Sequence, residues 1–207
     1  MNGSGWIGLL LFIFALTSPA LASQNLTAHF IDVGQGDSIL LQFKDKSLLI
    51  DGGPSEMGSR LEEYLSRHSA MKNPWESIVV RAFSGDMNQN SMVLRITYGW
   101  FSLLLMGDAD TVVEKRLVSS GFNLSSQILK VGHHGGTSAS RPEFLEKIKP
   151  LISIISVGEG NYYGYPTKRT LEALQAVGSG VYRTDTCGDI IITTDGLYYT
   201  LSSEKIC

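Results

Sequence analysis

Short β-type runs of apolar positions alternate with amphipathic stretches of helical period along this chain, with no repeat or low-complexity segment between them. The short runs predict strands over 28–33, 38–43, 47–50, 77–82, 92–98, 101–106, 127–130, 151–156, 181–183, 189–194 and 197–202. The amphipathic stretches predict helices over 57–68, 111–120, 141–149 and 168–177. Their ends carry signals: Ser140 and Glu143 form an S-x-x-E capping box, Asp110 and Thr167 sit at N-cap positions, and Gly121 and Gly178 stand where a left-handed residue closes a helix. Gly99-Trp100 and Asp195-Gly196 are read as tight turns. The second is a two-residue type I′ hairpin that pairs Thr194 with Leu197. Strands outnumber helices by more than two to one, and the helices are interspersed among hairpins, which predicts an α/β layered sandwich of sheets packed against helices.

The first 22 residues stand apart because they carry no charged side chain. Their apolar run, 6–16, is shorter than the ~20 residues of a spanning helix. Ser18-Pro19 and the small-x-small Ala20-Leu21-Ala22 follow it. This predicts a secretory signal cleaved after Ala22, with an uncleaved anchor as the alternative. The domain then runs over 23–207, secreted or periplasmic, with no transmembrane segment expected in the mature part. Export bears on Cys187 and Cys207, since disulfides persist in oxidising compartments: either they bridge or they are two unpaired thiols. In the expected hairpin Cys187 faces Glu204, a gap from Cys207 that a bent tail closes.

Composition narrows the reading further. Apolar residues make up 43% of the 207, enough for a sizeable core and inconsistent with a disordered chain. The net charge of −3 excludes a sequence-wide basic field, so any nucleic acid has to be gripped locally. Glycine, 22 residues, speaks for turns and against a helical bundle.

Four polar clusters at strand ends could carry chemistry. Asp32-Val-Gly-Gln-Gly-Asp37 and Asp51-Gly52-Gly53-Pro54 are glycine turns bearing acids, read equally well as Asx-turn chemistry. Gly107-Asp108-Ala109-Asp110 follows the apolar run 101–106, where a carboxylate serves as a helix cap or as a metal-bridging group. Lys130-Val-Gly-His133-His134-Gly-Gly136 places two of the four histidines in a glycine-rich loop, suited to a metal or to proton transfer.

In this order and spacing the clusters resemble the metallo-β-lactamase-type domain of ComEC-type DNA-uptake proteins. The segments carrying the resemblance are Phe30-Ile-Asp-Val-Gly-Gln-Gly-Asp-Ser38, Leu49-Ile-Asp-Gly-Gly53, Asn90-Ser-Met-Val-Leu94, Leu103-Leu-Leu-Met-Gly-Asp108 with Glu114, Leu129-Lys-Val-Gly-His-His-Gly135, Ile154-Ile-Ser-Val-Gly158, Asn161-Tyr-Tyr-Gly-Tyr-Pro166 and Val181-Tyr-Arg-Thr-Asp185. The resemblance implies a four-layer αββα sandwich whose strand-end loops bind one or two divalent metals and hydrolyse phosphodiesters, DNA first. It makes Asp108 the carboxylate between the metals, His133 or His134 a ligand, and Asp51 a supporting acid.

Two departures bear on that chemistry. The family's T-H-x-D-x-D-H motif is absent: no histidine lies between His68 and His133, and Asp51 stands only 57 residues before Asp108. In its best vestige, Ala82-Phe-Ser-Gly-Asp-Met87, Asp86 alone keeps a ligand type. The family's Tyr-Gly-His-Pro is here Tyr163-Gly-Tyr165-Pro. The sandwich is therefore expected to be shortened, with the second metal lost and at most one Mn²⁺ or Zn²⁺ held by Asp86, Asp108, His133 and His134. Three functional readings follow: a secreted hydrolase with impaired phosphodiester cleavage, a non-catalytic module that binds a phosphate, a nucleic acid or a partner on the same fold, or a remnant that folds but does nothing. Lys130, Arg141, Lys168 and Arg169 lie beside the inferred site, as phosphate contacts or as solvated charge.

Overall fold

The computed structural model describes residues 25–68 and 91–207. The expected signal segment, the predicted strand over 77–82 and Asp86 lie outside the described residues. Numbered along the chain, the strands are β1 (Leu26–Phe30), β2 (Ile39–Phe43), β3 (Lys46–Ile50), β4 (Leu94–Tyr98), β5 (Phe101–Leu105), β6 (Ile128–Lys130), β7 (Ile152–Ile155), β8 (Gly180–Arg183), β9 (Ile190–Thr194) and β10 (Tyr199–Ser203). The helices are α1 (Gly58–Arg67), α2 (Thr111–Ser119), α3 (Pro142–Ile148), α4 (Lys168–Ala176) and the short α5 (Thr184–Cys187).

Among the described residues the strands form two five-stranded sheets. The first, in the order β10-β9-β1-β2-β3, is antiparallel throughout. The second, β4-β5-β6-β7-β8, opens with an antiparallel hairpin and continues in parallel, its strands joined through α2, α3 and α4. Side chains two apart on a strand share a face, and the cores obey that rule. Ala28, Phe30, Ile39 and Leu41 of the first sheet join Leu103, Leu105, Ile128 and Ile154 of the second in one buried cluster. The alternate residues Leu104, Leu129 and Ile155 meet Phe144, Leu145 and Ile148 of α3 and Leu174 of α4. Ile31 and Leu40 meet Leu61, Tyr64 and Leu65 of α1. Among the described residues no helix is long and apolar enough to cross a membrane.

The expected N-caps hold: Asp110 accepts from the N–H groups of Val112 and Val113, and Thr167 from that of Thr170. Two local expectations do not. The Asp195-Gly196 hairpin is not a two-residue turn, because Thr194 pairs with Tyr199 and residues 195–198 form the loop. The Asp195 carboxylate bends it by accepting from Leu197 N at 2.9 Å and Tyr198 N at 2.8 Å. That two-residue shift of β10 lets Lys205 N donate to Cys187 O at 2.8 Å and brings Cys207 into a disulfide with Cys187, their Cα atoms 5.2 Å apart. The Ser140 capping box is likewise not formed, since Ser140 has φ 62° and α3 starts at Pro142. The N–H groups of Ser140 and Arg141 donate instead to the Glu114 carboxylate of α2, at 2.5 and 3.0 Å.

Candidate functional site

The topology of the second sheet brings the polar clusters together. β5, β6 and β7 run parallel in the register Leu105, Lys130, Ile154, so their C-terminal ends open on one edge. Met106-Gly-Asp108, Val131-Gly-His-His134 and Ser156-Val-Gly158 leave the sheet there, as do ligand-binding loops of open parallel sheets generally. The loop 31–38 of the first sheet reaches the same edge, where Gln35 Oε1 accepts from Gly158 N at 3.2 Å. A Cβ at residue 158 would lie 2.8 Å from Gln35 N, so only glycine lets the two sheets' loops approach this closely.

A row of alternating basic and acidic groups crosses this edge. Lys130, wholly buried on the between-sheet face that Ile128 shares, sets its Nζ 2.8 Å from Asp37 Oδ1 and donates to Val131 O at 3.0 Å. The Asp37 contact is an ion pair rather than an aligned hydrogen bond. The same Asp37 oxygen lies 3.5 Å from His134 Nδ1, and His134 Nε2 lies 3.2 Å from Asp108 Oδ1. His134 Nδ1 donates to Ser156 O at 2.8 Å, which fixes the ring. A neutral ring would then aim the Nε2 lone pair at a carboxylate, so a proton or another cation belongs between them. Burial pulls the His134 pKa down, but the Asp108 hydrogen bond and the Asp37 charge outweigh it and raise it above its ordinary value. Asp108 is held below the usual carboxylate range, first by the His134 hydrogen bond and against its own burial.

His133 is adjacent in sequence but differently engaged. Its Nδ1 lies 2.7 Å from Ser138 Oγ, and its ring meets Tyr165 edge-on at 5.6 Å and His134 at 6.4 Å. His133 and His134 both adopt left-handed backbone, φ 48° and 51°, which costs a non-glycine residue of order 1–3 kcal/mol. The strain is held by His133 N donating to Gly107 O at 3.0 Å and Gly136 N to His133 O at 2.8 Å. Asp51, also left-handed at φ 61°, spends its carboxylate on its own turn, accepting from Gly52 N at 2.7 Å and Gly53 N at 3.1 Å.

Of the four cations expected beside the site, Lys130 is enclosed with Asp37 and out of a phosphate's reach, and the half-buried Arg141 is tied through its backbone N–H to Glu114. Arg169 Nη1 is engaged by the carbonyls of Thr137 and Ala139, both at 3.0 Å. The exposed Lys168 lies 3.5 Å from Glu172. Sequence reasoning left Asp37 as a turn acid and missed its partnership with Lys130; the signal was a lysine inside the apolar run Ile128-Leu-Lys-Val131.

A divalent ion of the kind the resemblance implies needs three protein donors or more. Among the described residues no group of three or more His, Cys, Asp or Glu side chains is placed to hold one. Asp108 and His134 do make a donor couple of the right chemistry. The histidine is oriented through its other nitrogen by a backbone carbonyl, as metal-binding imidazoles are. Two donors fall short of the three that a bound ion needs.

Comparison with known proteins bears on the kind of protein concerned. Over 104 residues, half its length, the chain is 40% identical to the Competence protein ComA of Neisseria gonorrhoeae. Over 103 residues it is 36% identical to ComE operon protein 3 of Bacillus subtilis and 30% identical to Recombination protein 2 of Haemophilus influenzae. The matched stretch is 15% of the first relative and 13% of each of the others, so the chain corresponds to a small part of them. No family model matches the chain.

Proposed function

We propose that this chain is a shortened four-layer αββα domain of the metallo-β-lactamase type, ComEC-like, that engages DNA phosphodiesters at the edge formed by Asp108, His133 and His134, with the family's metal-dependent hydrolysis impaired. The observation that carries the proposal is the Asp108–His134 couple, clamped at Nδ1 by Ser156 O and lying at the C-terminal ends of three parallel strands. The likeness of half the chain to competence proteins supports DNA as the phosphodiester. Impairment follows from donor count: with Asp86 as a third ligand the site would take one Mn²⁺ or Zn²⁺ weakly, too few donors for a two-metal clamp on the phosphate. The proposed location, secreted or periplasmic, is supported by the Cys187–Cys207 disulfide, a bond of oxidising compartments.

The test is the metal content of the purified, untagged chain together with its nuclease activity, beside Asp108→Ala and His133→Ala. We expect no more than about one ion per chain, lost in Asp108→Ala, and cleavage far below the ~1–10³ s⁻¹ of ordinary enzymes. Cleavage at ordinary rates that both variants abolish would overturn the impairment. No ion at all, with oligonucleotide binding intact, would favour the non-catalytic binding module.

A further inference from the structure

We infer that Tyr162 and Tyr163 form a stacking platform for the unpaired bases of a single-stranded nucleic acid whose backbone passes the Asp108–His134 edge; this rests on the reading of that edge as a phosphodiester site. The two rings are the outermost aromatics of the loop between β7 and α4, with Tyr162 fully exposed and Tyr163 64% exposed. Nothing in the core requires them there.

The loop that carries them is ordered by its own hydrogen bonds. Asn161 Nδ2 donates to Gly158 O at 3.0 Å and to Tyr165 O at 2.7 Å, while Asn161 Oδ1 accepts from Tyr165 N at 3.0 Å. Thr167 N ties the far end to Gly135 O at 3.0 Å. A backbone already ordered in this way loses little freedom when a flat ligand settles on the rings it carries.

The rings also lead to the site. Tyr163 stacks on Tyr165 at 5.6 Å with 24° between planes, and Tyr162 meets Tyr163 edge-on at 6.3 Å. Tyr165 in turn lies edge-on to His133 and so close over Gly136 that a Cβ there would sit 2.7 Å from its Cζ. Tyr163 is thus at most about 11 Å from His133, and an aromatic ladder runs from solvent to the histidine loop.

The charge around the ladder selects the ligand. Residues 158–166 contain no Lys or Arg and one acid, Glu159, and the exposed Lys168 that follows them lies 3.5 Å from Glu172, so the loop offers a phosphate backbone little electrostatic grip and a lipid surface little basic anchor. What it offers is ring faces. Among nucleic acids at a phosphodiester site, an unpaired base presents a matching π face, whereas a duplex hides both faces of each base in its own stack.

The test measures binding of the full chain to three labelled 12-mers by fluorescence anisotropy: oligothymidylate, its abasic deoxyribose-phosphate counterpart and a duplex. The proteins are wild type, Tyr162→Ala/Tyr163→Ala and Tyr162→Phe/Tyr163→Phe. Expected are a tenfold or greater preference of wild type for thymidylate and a loss of roughly 5- to 150-fold per stacked base in the alanine variant, restored by phenylalanine. The salt slope should be no steeper than about −1.4, two phosphates' worth. Both variants change exposed rings, and circular dichroism checks that the fold is kept. Equal wild-type affinity for thymidylate and the abasic oligomer overturns the platform while leaving the phosphodiester reading intact, since the abasic oligomer reports that reading alone. Binding of none of the three overturns both. Capture of phosphatidylglycerol vesicles that the alanine variant loses, with thymidylate affinity unchanged, overturns the platform in favour of a membrane contact.

Discussion

His29, buried beneath α1, and His134, its side chain 12% exposed on the loop edge of the second sheet, are both imidazoles at polar networks. Their pKa values move in opposite directions. His29 Nδ1 accepts from the Tyr64 hydroxyl at 2.8 Å, and its Nε2 donates to Gln42 Oε1 at 3.0 Å. Gln42 Nε2 continues to His68 O at 3.1 Å. Burial, and then the neighbouring His68, push the His29 pKa down to about 4, so it stays neutral with each ring nitrogen used once. His134 faces two carboxylates that no neutral ring can satisfy. A satisfied histidine holds a fold together, whereas one that needs a charge to be satisfied marks a place where a cation belongs.

The comparison breaks most sharply at the buried pair behind His134. Asp37→Ala would strand the wholly buried Lys130, at an expected cost of about 3–5 kcal/mol in urea unfolding. Lys130→Met with Asp37→Leu should recover most of that loss, since apolar replacement of a buried pair is often neutral. On the other side Tyr64→Phe removes one neutral bond to His29 and should cost about 1–2 kcal/mol. Asp37→Ala costing no more than Tyr64→Phe would dissolve the distinction between charged and neutral networks.

A second contrast is hidden in the pH dependence. His29 has its pKa lowered on folding from 6.5 to about 4, so its share of stability is complete above pH 6.5 and lost as pH falls towards 4. That share is on the order of 3 kcal/mol. Glu114 runs the other way. Burial, against the bonds from the Arg141 and Ser140 backbone, raises it from 4.5 to about 7, and the stability it favours is complete below pH 4.5 and lost as pH rises to 7. The two slopes offset each other between about pH 4.5 and 6.5. Relative to wild type, Glu114→Gln should lose stability as pH falls through that window and His29→Gln should gain it, each by on the order of 3 kcal/mol. Parallel curves for wild type and either variant in thermal melts at stepped pH would refute the offset.

Legibility in the sequence followed the range of the interaction. Strand alternation, the Asp110 and Thr167 caps and the glycines after α2 and α4 are decided within a few residues, and the structure agrees. The β9–β10 register was misplaced by two because Asp195-Gly196 resembles a two-residue turn, while the Asp195 side chain organises a four-residue one. Ser140 resembled a cap because nothing local reveals that Glu114, 26 residues earlier, has taken its N–H. The polar clusters were legible as strand-end loops, but the parallel order of β5, β6 and β7 that opens three of them on one edge was not, because it is set by pairing between strands far apart in the chain. The Asp37–Lys130 pair was not, since it joins two sheets across 93 positions and each residue alone has an ordinary local explanation.

The smallest effect probes the site alone. Asp108 is 44% exposed, so solvent screens its contact with His134, and Asp108→Asn should change stability by less than about 1 kcal/mol. Its titration effect should be plain. The Asp108 hydrogen bond is the leading influence that raises His134, so the variant should move the His134 imidazole midpoint down while His29 stays near 4, both followed by NMR. The sign extends to folding: with its raised folded pKa, His134 adds stability below pH 6.5 that fades as pH rises through that folded value, and the fade should begin at lower pH in Asp108→Asn. A His134 midpoint that does not move would mean that Asp37 alone holds the ring's charge. Asp108 would then be free to give its carboxylate wholly to whatever the edge binds.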